Sequence, residues 1–94
     1  MSCLTVFSQP GNQARITGLL NKEYDGLVDL YRHLHTNPEL SLQEKETAAR
    51  MAKELVAAGF EVTTSVGGYG VVGVLRNGQG KTILVRTDMD ALPI

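Results

Sequence analysis

Cysteine is nearly missing from these 94 residues. Cys3 is the only one, which excludes an internal disulfide framework and fits a reducing compartment. Long apolar runs are missing too, since no stretch approaches the roughly 20 residues needed to span a bilayer. At the start of the chain, Leu4-Thr5-Val6-Phe7 is too short for a signal-peptide core and no positive segment precedes it, so a cytoplasmic location is expected. An excess of one charge is also absent. The net charge is −1, with Lys and Arg scattered rather than run together, so there is no electrostatic case for nucleic acid or an anionic membrane as partner. There is no internal repeat and no low-complexity tract.

What is present is an ordinary globular composition, 43% hydrophobic and 20% charged, in a length that suits one small domain or part of a larger one. Residues 1 to 21 mix Ser, Gln, Pro, Gly, Asn and Thr with few periodic apolar positions. They read as a loosely ordered leader, with at best a short helix over Ile16–Leu20. Residues 22 to 94 then form the ordered part. Leu27, Leu30, Tyr31 and Leu34 repeat at the spacing of an amphipathic helix, which Asn37-Pro38 ends, because proline pushes the residue before it out of the α region. A second helix is expected from Ser41, with Glu44 three residues on completing a capping box. Ala48, Met51, Ala52, Leu55 and Val56 give its apolar stripe, and Gly59 suits the left-handed position that closes it.

Beyond Gly59 the period changes to two. Phe60, Val62, Thr64 and Val66 alternate with Glu61, Thr63 and Ser65, as in a half-exposed strand. Val71–Leu75 and Thr82–Val85 are short apolar runs of the kind found in strands covered on both faces, and Asn77-Gly78-Gln79-Gly80 between them predicts a hairpin turn. The expected order is α-α-β-β-β. Three strands with helices supplied from one side leave apolar surface open, so the segment reads as the first part of a larger α/β domain.

Two glycine motifs fail on inspection. Gly68-Tyr69-Gly70-Val71-Val72-Gly73 fits G-x-G-x-x-G, but the dinucleotide fingerprint needs those glycines to open a helix. The valines make the next element a strand, so a glycine-rich turn between strands is the better reading. Gly80-Lys81-Thr82 resembles the end of a P-loop, yet Leu75 stands where its first glycine belongs. His33 and His35 lie two apart on a helix and point to nearly opposite sides, so they cannot ligate one ion together. A histidine near a helix C-terminus is explained by the dipole and the last carbonyls. Cys3 has no histidine near it in sequence and no cue to activation.

Asp88 and Asp90 are the candidate catalytic residues. They follow an expected buried strand, at the end where α/β proteins place their chemistry, and precede Leu92-Pro93, where the chain turns away. Two apart on a strand, both carboxylates would face one side. They could serve a divalent metal directly, or hold a ligand or a metal-bound water from behind. They could equally form a solvated acidic loop capping a following helix. From spacing alone both readings stand.

Taken together, Leu30-Tyr31-Arg32-His33-Leu34-His35, Asn37-Pro38-Glu39-Leu40-Ser41, Glu44, Thr47-Ala48, Leu55 and Gly59-Phe60-Glu61-Val62 resemble the opening of the metal-dependent amidohydrolases. This group includes hippurate hydrolases, N-acyl-amino-acid amidohydrolases and auxin-conjugate hydrolases, and is related to zinc aminopeptidases and aminoacylases. Gly67–Val72 and Arg86-Thr87-Asp88-Met89-Asp90-Ala91-Leu92-Pro93-Ile94 continue the likeness, which covers Tyr24 to Ile94. The resemblance implies an α/β fold, the N-terminal α-α-β-β-β portion of a zinc-aminopeptidase-like catalytic domain, incomplete as given. It implies hydrolysis of N-acyl-amino-acid amide bonds by water activated between two divalent metal ions, zinc or manganese, with a glutamate as general base. Related peptidases carry His-x-Asp at the strand end. Arg86 stands at the histidine position, as in the amidohydrolase subgroup, so Asp88 carries over as a support of the metal shell and Asp90 as a second candidate. His33, His35 and Glu39 also match and read as helix-end and packing residues. The subgroup's metal ligands come from a later Cys-x-His segment, a Glu pair and two further histidines, none of them in this chain. The expectation is a fragment inactive alone, with an N-acyl amino acid as the substrate of the full-length enzyme. The alternative is a small non-catalytic α/β interaction module from a truncated hydrolase gene, self-associating through an exposed sheet edge.

Overall fold

The structure, a computed structural model, describes residues 10 to 94. Cys3, Leu4–Phe7 and the first nine residues of the expected leader lie outside the described residues. The chain divides into two compact units, one reaching to His33 and the other running from Leu34 to Ile94.

The first unit is helical. Helix α1 covers Pro10–Thr36, so residues 10 to 21, read from composition as part of a loose leader, continue the expected helix toward the N-terminus by more than three turns. Gly18 and Gly26 lie inside it, at a cost of about 1 kcal/mol each relative to alanine. Composition misled here because few apolar positions are needed for a helix that stays exposed: Ile16, Leu19, Leu20, Tyr24 and Leu27 are all exposed. The helix stops at Thr36, one residue before Asn37-Pro38, as the proline requires. Among the described residues no helix is long and apolar enough to cross a membrane.

In the second unit, helix α2 (Lys45–Ala57) packs on an antiparallel hairpin of β1 (Glu61–Val66) and β2 (Gly70–Val74). Ala48 and Thr47 are its buried residues, with Met51, Ala52, Leu55, Phe60, Val62, Val71 and Gly73 half-buried around them. Val56, expected on the helix stripe, is exposed. The helix does not start at Ser41. Ser41 and Leu42 form a turn, Leu42 has φ 68°, and Glu44 is the N-cap without a side-chain capping bond, so the capping box does not form. The C-terminal end follows expectation. Gly59 takes φ 94°, its amide donates to the Val56 carbonyl, and the Phe60 amide donates to the Leu55 carbonyl, each at 3.0 Å. This is the Schellman closure.

Residues Gly67, Gly68 and Tyr69 connect the strands, which is the glycine-rich turn read from the sequence. A Cβ on Gly70 would overlap the Val66 carbonyl oxygen. The register advances from Thr63↔Val72 to Val66↔Gly70, so Thr64 and Ser65 together face Val71. That is a β-bulge, and Ser65 carries it with φ 59°. The bulge breaks the alternation expected along Phe60–Val66, leaving Val62 as the half-buried residue of β1.

The third strand does not form. From Leu75 onward no residue is in regular secondary structure, and Ile83, Leu84 and Val85 are 84%, 89% and 85% exposed. The hairpin turn expected at Asn77–Gly80 therefore joins no second strand. Nor is the sheet covered on both faces, since Val72 and Val74, opposite in direction to Val71 and Gly73, are each 43% exposed. A two-stranded sheet with one helix on it has no second layer to bury such runs. The order observed is α-α-β-β, a mixed α/β arrangement.

Two substitutions test the hairpin. Gly70→Ala should destabilise by about 1–3 kcal/mol through overlap with main chain that cannot swing aside. Ser65→Gly should stabilise by up to about 1 kcal/mol, the left-handed cost of a side chain outweighing the added chain entropy of glycine. Thermal unfolding followed by far-ultraviolet circular dichroism reads both, and a Gly70→Ala chain melting at the unsubstituted temperature would contradict the close approach.

Candidate functional site

A helix begins with amides that have no partner within it. At the start of α2 that need is met from upstream. The Thr47 amide donates to Glu39 Oε1 at 2.5 Å and the Glu46 amide to Oε2 at 3.1 Å. The intervening loop reverses direction over Leu40–Glu44, where the Gln43 amide donates to the Leu40 carbonyl and the Lys45 amide to the Gln43 carbonyl, both at 2.9 Å. Leu42 in the left-handed region makes that reversal possible. A carboxylate at a helix N-terminus also meets the positive end of the helix dipole. The Thr47 side chain adds a hydrogen bond and, with the two amides, holds the Glu39 carboxyl below its ordinary range.

Main-chain contact brings the aspartate segment to the same place, for the Ala91 amide donates to the Glu39 carbonyl at 2.8 Å. Of residues Leu75 to Ile94, Met89 alone is half-buried and all others are exposed. Asp88 and Asp90 therefore flank the one side chain of this segment that turns inward, and Ala91 fixes it beside the start of α2. Asp88 Oδ1 accepts from Arg86 Nη2 at 2.8 Å. The pair is open to solvent, at 81% and 66% exposure, where such a pair contributes about 0–1 kcal/mol. Asp90 is exposed. The strand that was to set both carboxylates on one face is absent, so strand alternation does not bring them together.

His33 and His35 lie in the last turns of α1 and both side chains are exposed, the helix-end placement read from the sequence. Among the described residues no group of three or more His, Cys, Asp or Glu side chains could hold a metal ion. Asp88, Asp90 and the histidines thus do not make a metal site on their own. The residue that sequence reasoning underrated is Glu39. Its residue type and position read as helix-end and packing, yet it lies six positions before the first residue of α2, beyond the reach of local capping patterns, and only the reversal at Leu42 brings it back.

Comparison with known proteins gives the group. A Bacillus subtilis protein named as an amidohydrolase is 42% identical over 80 residues, covering 80% of this chain and 20% of its own. A Synechocystis protein named as a hydrolase is 51% identical over 71 residues, covering 72% of this chain and 18% of its own. The hippurate hydrolase of Campylobacter jejuni is 45% identical over 74 residues, or 77% and 19%. No family model matches the chain, and no solved structure is similar to it. These likenesses, each over about three quarters of this chain, support the amidohydrolase group. The chain spans about a fifth of the length of the curated relatives it matches.

The cap at Glu39 sets a pH dependence. Its folded carboxyl titrates below the ordinary 4.5, so the stabilisation is complete above that value and is lost as pH falls through the lowered folded one. The unfolding free-energy difference between the unsubstituted chain and Glu39→Gln should therefore shrink as pH is taken below 4.5. A difference that stays constant from neutral to acid pH would show that the charge of Glu39 contributes nothing.

Proposed function

We propose that the chain is an early segment of the catalytic domain of a metal-dependent amidohydrolase with a zinc-aminopeptidase-like fold. The reaction is hydrolysis of an N-acyl amino acid: water adds to the amide carbonyl, the C–N bond breaks, and the amine leaves with a proton. Two divalent ions, zinc or manganese, are the expected cofactors. Among the described residues no group of three or more His, Cys, Asp or Glu side chains could hold one. The supporting observations are the Arg86–Asp88 pair and a 45% identity over 74 residues to a protein named as a hippurate hydrolase. In this reading Asp88 supports the site from behind. Its carboxylate accepts from the Arg86 guanidinium and presents a fixed negative charge beside the reacting centre. Asp90 is the second candidate. The single cysteine and the scattered Lys and Arg, with a net charge of −1, support a cytoplasmic enzyme acting on a small molecule rather than on nucleic acid or a membrane.

A second reading, a non-catalytic interaction module that self-associates along its sheet edge, is favoured by the exposed Val72, Val74 and Ile83–Val85. Sedimentation distinguishes it, because a module of that kind forms a discrete cooperative dimer, whereas a segment of a larger domain is monomeric or aggregates without a defined stoichiometry.

The catalytic reading is tested by transplantation. The 74 matched residues of the Campylobacter jejuni protein are replaced by this chain's sequence and hippurate hydrolysis is measured. Activity should persist in the hybrid, and Asp88→Asn within it should lower kcat/KM by about 10–100-fold, as loss of a carboxylate supporting a metal site does. The 94-residue chain alone should release no amino acid from hippurate with added manganese or zinc. A folded but inactive hybrid, or an Asp88→Asn hybrid with unchanged kinetics, would overturn the assignment.

A further inference from the structure

Glu39 makes two kinds of bond in two directions. Its carboxylate is held by the amides of Glu46 and Thr47, at the start of α2. Its carbonyl receives the amide of Ala91, directly after Asp90. These are the side-chain and main-chain ends of one residue, so fixing one constrains the other. The carboxylate is locked at both oxygens, which removes the side-chain freedom that would let the residue 39 backbone drift. Pro38 immediately before it limits φ on one side, and the closed turn over Leu40–Glu44 limits the other. The carbonyl of residue 39 is thereby held at a set distance from α2.

The aspartate segment needs such an anchor. No residue from Leu75 to Ile94 belongs to a regular element, and only Met89 among them is half-buried. The Arg86–Asp88 pair joins residues two apart within the segment, so it cannot place the segment on the rest of the unit. The Ala91 bond to Glu39 does.

We propose that Glu39 is the positioning residue of the Asp88–Asp90 segment, its carboxylate clamp on α2 setting where its carbonyl holds Ala91. That Asp88 and Asp90 do chemistry rests on the function proposed above; the coupling itself does not. The proposal makes the clamp and the segment one unit, so that loosening the side chain of residue 39 releases a backbone bond at residue 91.

Amide hydrogen exchange by NMR on the full 94-residue chain tests it without any activity measurement, so its failure is distinguishable from failure of the catalytic reading. In the unsubstituted chain the Ala91 amide should be protected. In Glu39→Ala, which keeps the carbonyl and removes the clamp, the Glu46, Thr47 and Ala91 amides should all exchange at least about tenfold faster. The Phe60 amide, bonded to Leu55 at the far end of α2, should stay protected and so report that the fold is intact. Glu39→Gln keeps one acceptor oxygen and should restore part of the protection at both places together; it carries the test if Glu39→Ala does not fold. Loss of protection at Glu46 and Thr47 with Ala91 unchanged overturns the proposal. An Ala91 amide that already exchanges freely in the unsubstituted chain overturns it as well.

Discussion

The first amides of α2 point away from any partner in their own helix, and the local sequence offers little to satisfy them. Ser41 is spent on a turn, and Glu44 occupies the N-cap without a side-chain bond. A carboxylate from upstream meets the need, and meeting it folds the chain back over Leu40–Glu44. The helix start, the reversal at Leu42 and the resting place of Ala91 all depend on that one residue. Helix-start amides must find partners outside their own helix. Here the solution brings two stretches some fifty residues apart in sequence to a common point.

At the other end of α2 the constraint is steric. The Schellman closure at Gly59 redirects the chain so that Phe60 and Val62 run beneath the helix, and β2 returns alongside through a turn built from Gly67, Gly68 and Tyr69. Only one face of this hairpin is covered. Little side-chain burial is available from one helix on two strands, and the buried set among the described residues is correspondingly small, Ala48 and Thr47. Val72 and Val74 stand on the open face, each 43% exposed.

Several local signals in the sequence carry through to the structure, although the capping box at Ser41–Glu44 does not form. Proline ended α1, glycine closed α2, and the change of period at Phe60 marked the hairpin. The rejection of the dinucleotide motif rested on the valines after Gly70, and those valines are indeed in a strand. Legibility failed where the cause was distant. Whether Thr82–Val85 pairs as a strand depends on a neighbour to pair with, and the run itself carries no information about that. The bulge at Thr64–Ser65 depends on the register of the partner strand. Glu39 depends on a turn whose leucine carries no preference for the left-handed region. For the candidate site, Asp88 and Asp90 stood out by type and spacing, but the Arg86 pairing and the Ala91 anchor came only with the third dimension.

Position 73 makes a different demand. A Cβ there would stand 3.2 Å from both Leu55 Cδ1 and Phe60 Cδ2, closer than ordinary van der Waals contact. Helix and sheet therefore share a fixed volume among three side chains, one of which contributes none. Growth at 73 must be matched by shrinkage at 55 or 60, so the effects of substitutions at these sites will not add. The spacing between α2 and β2, rather than any one of the three residues, is the quantity that a compensating change would preserve.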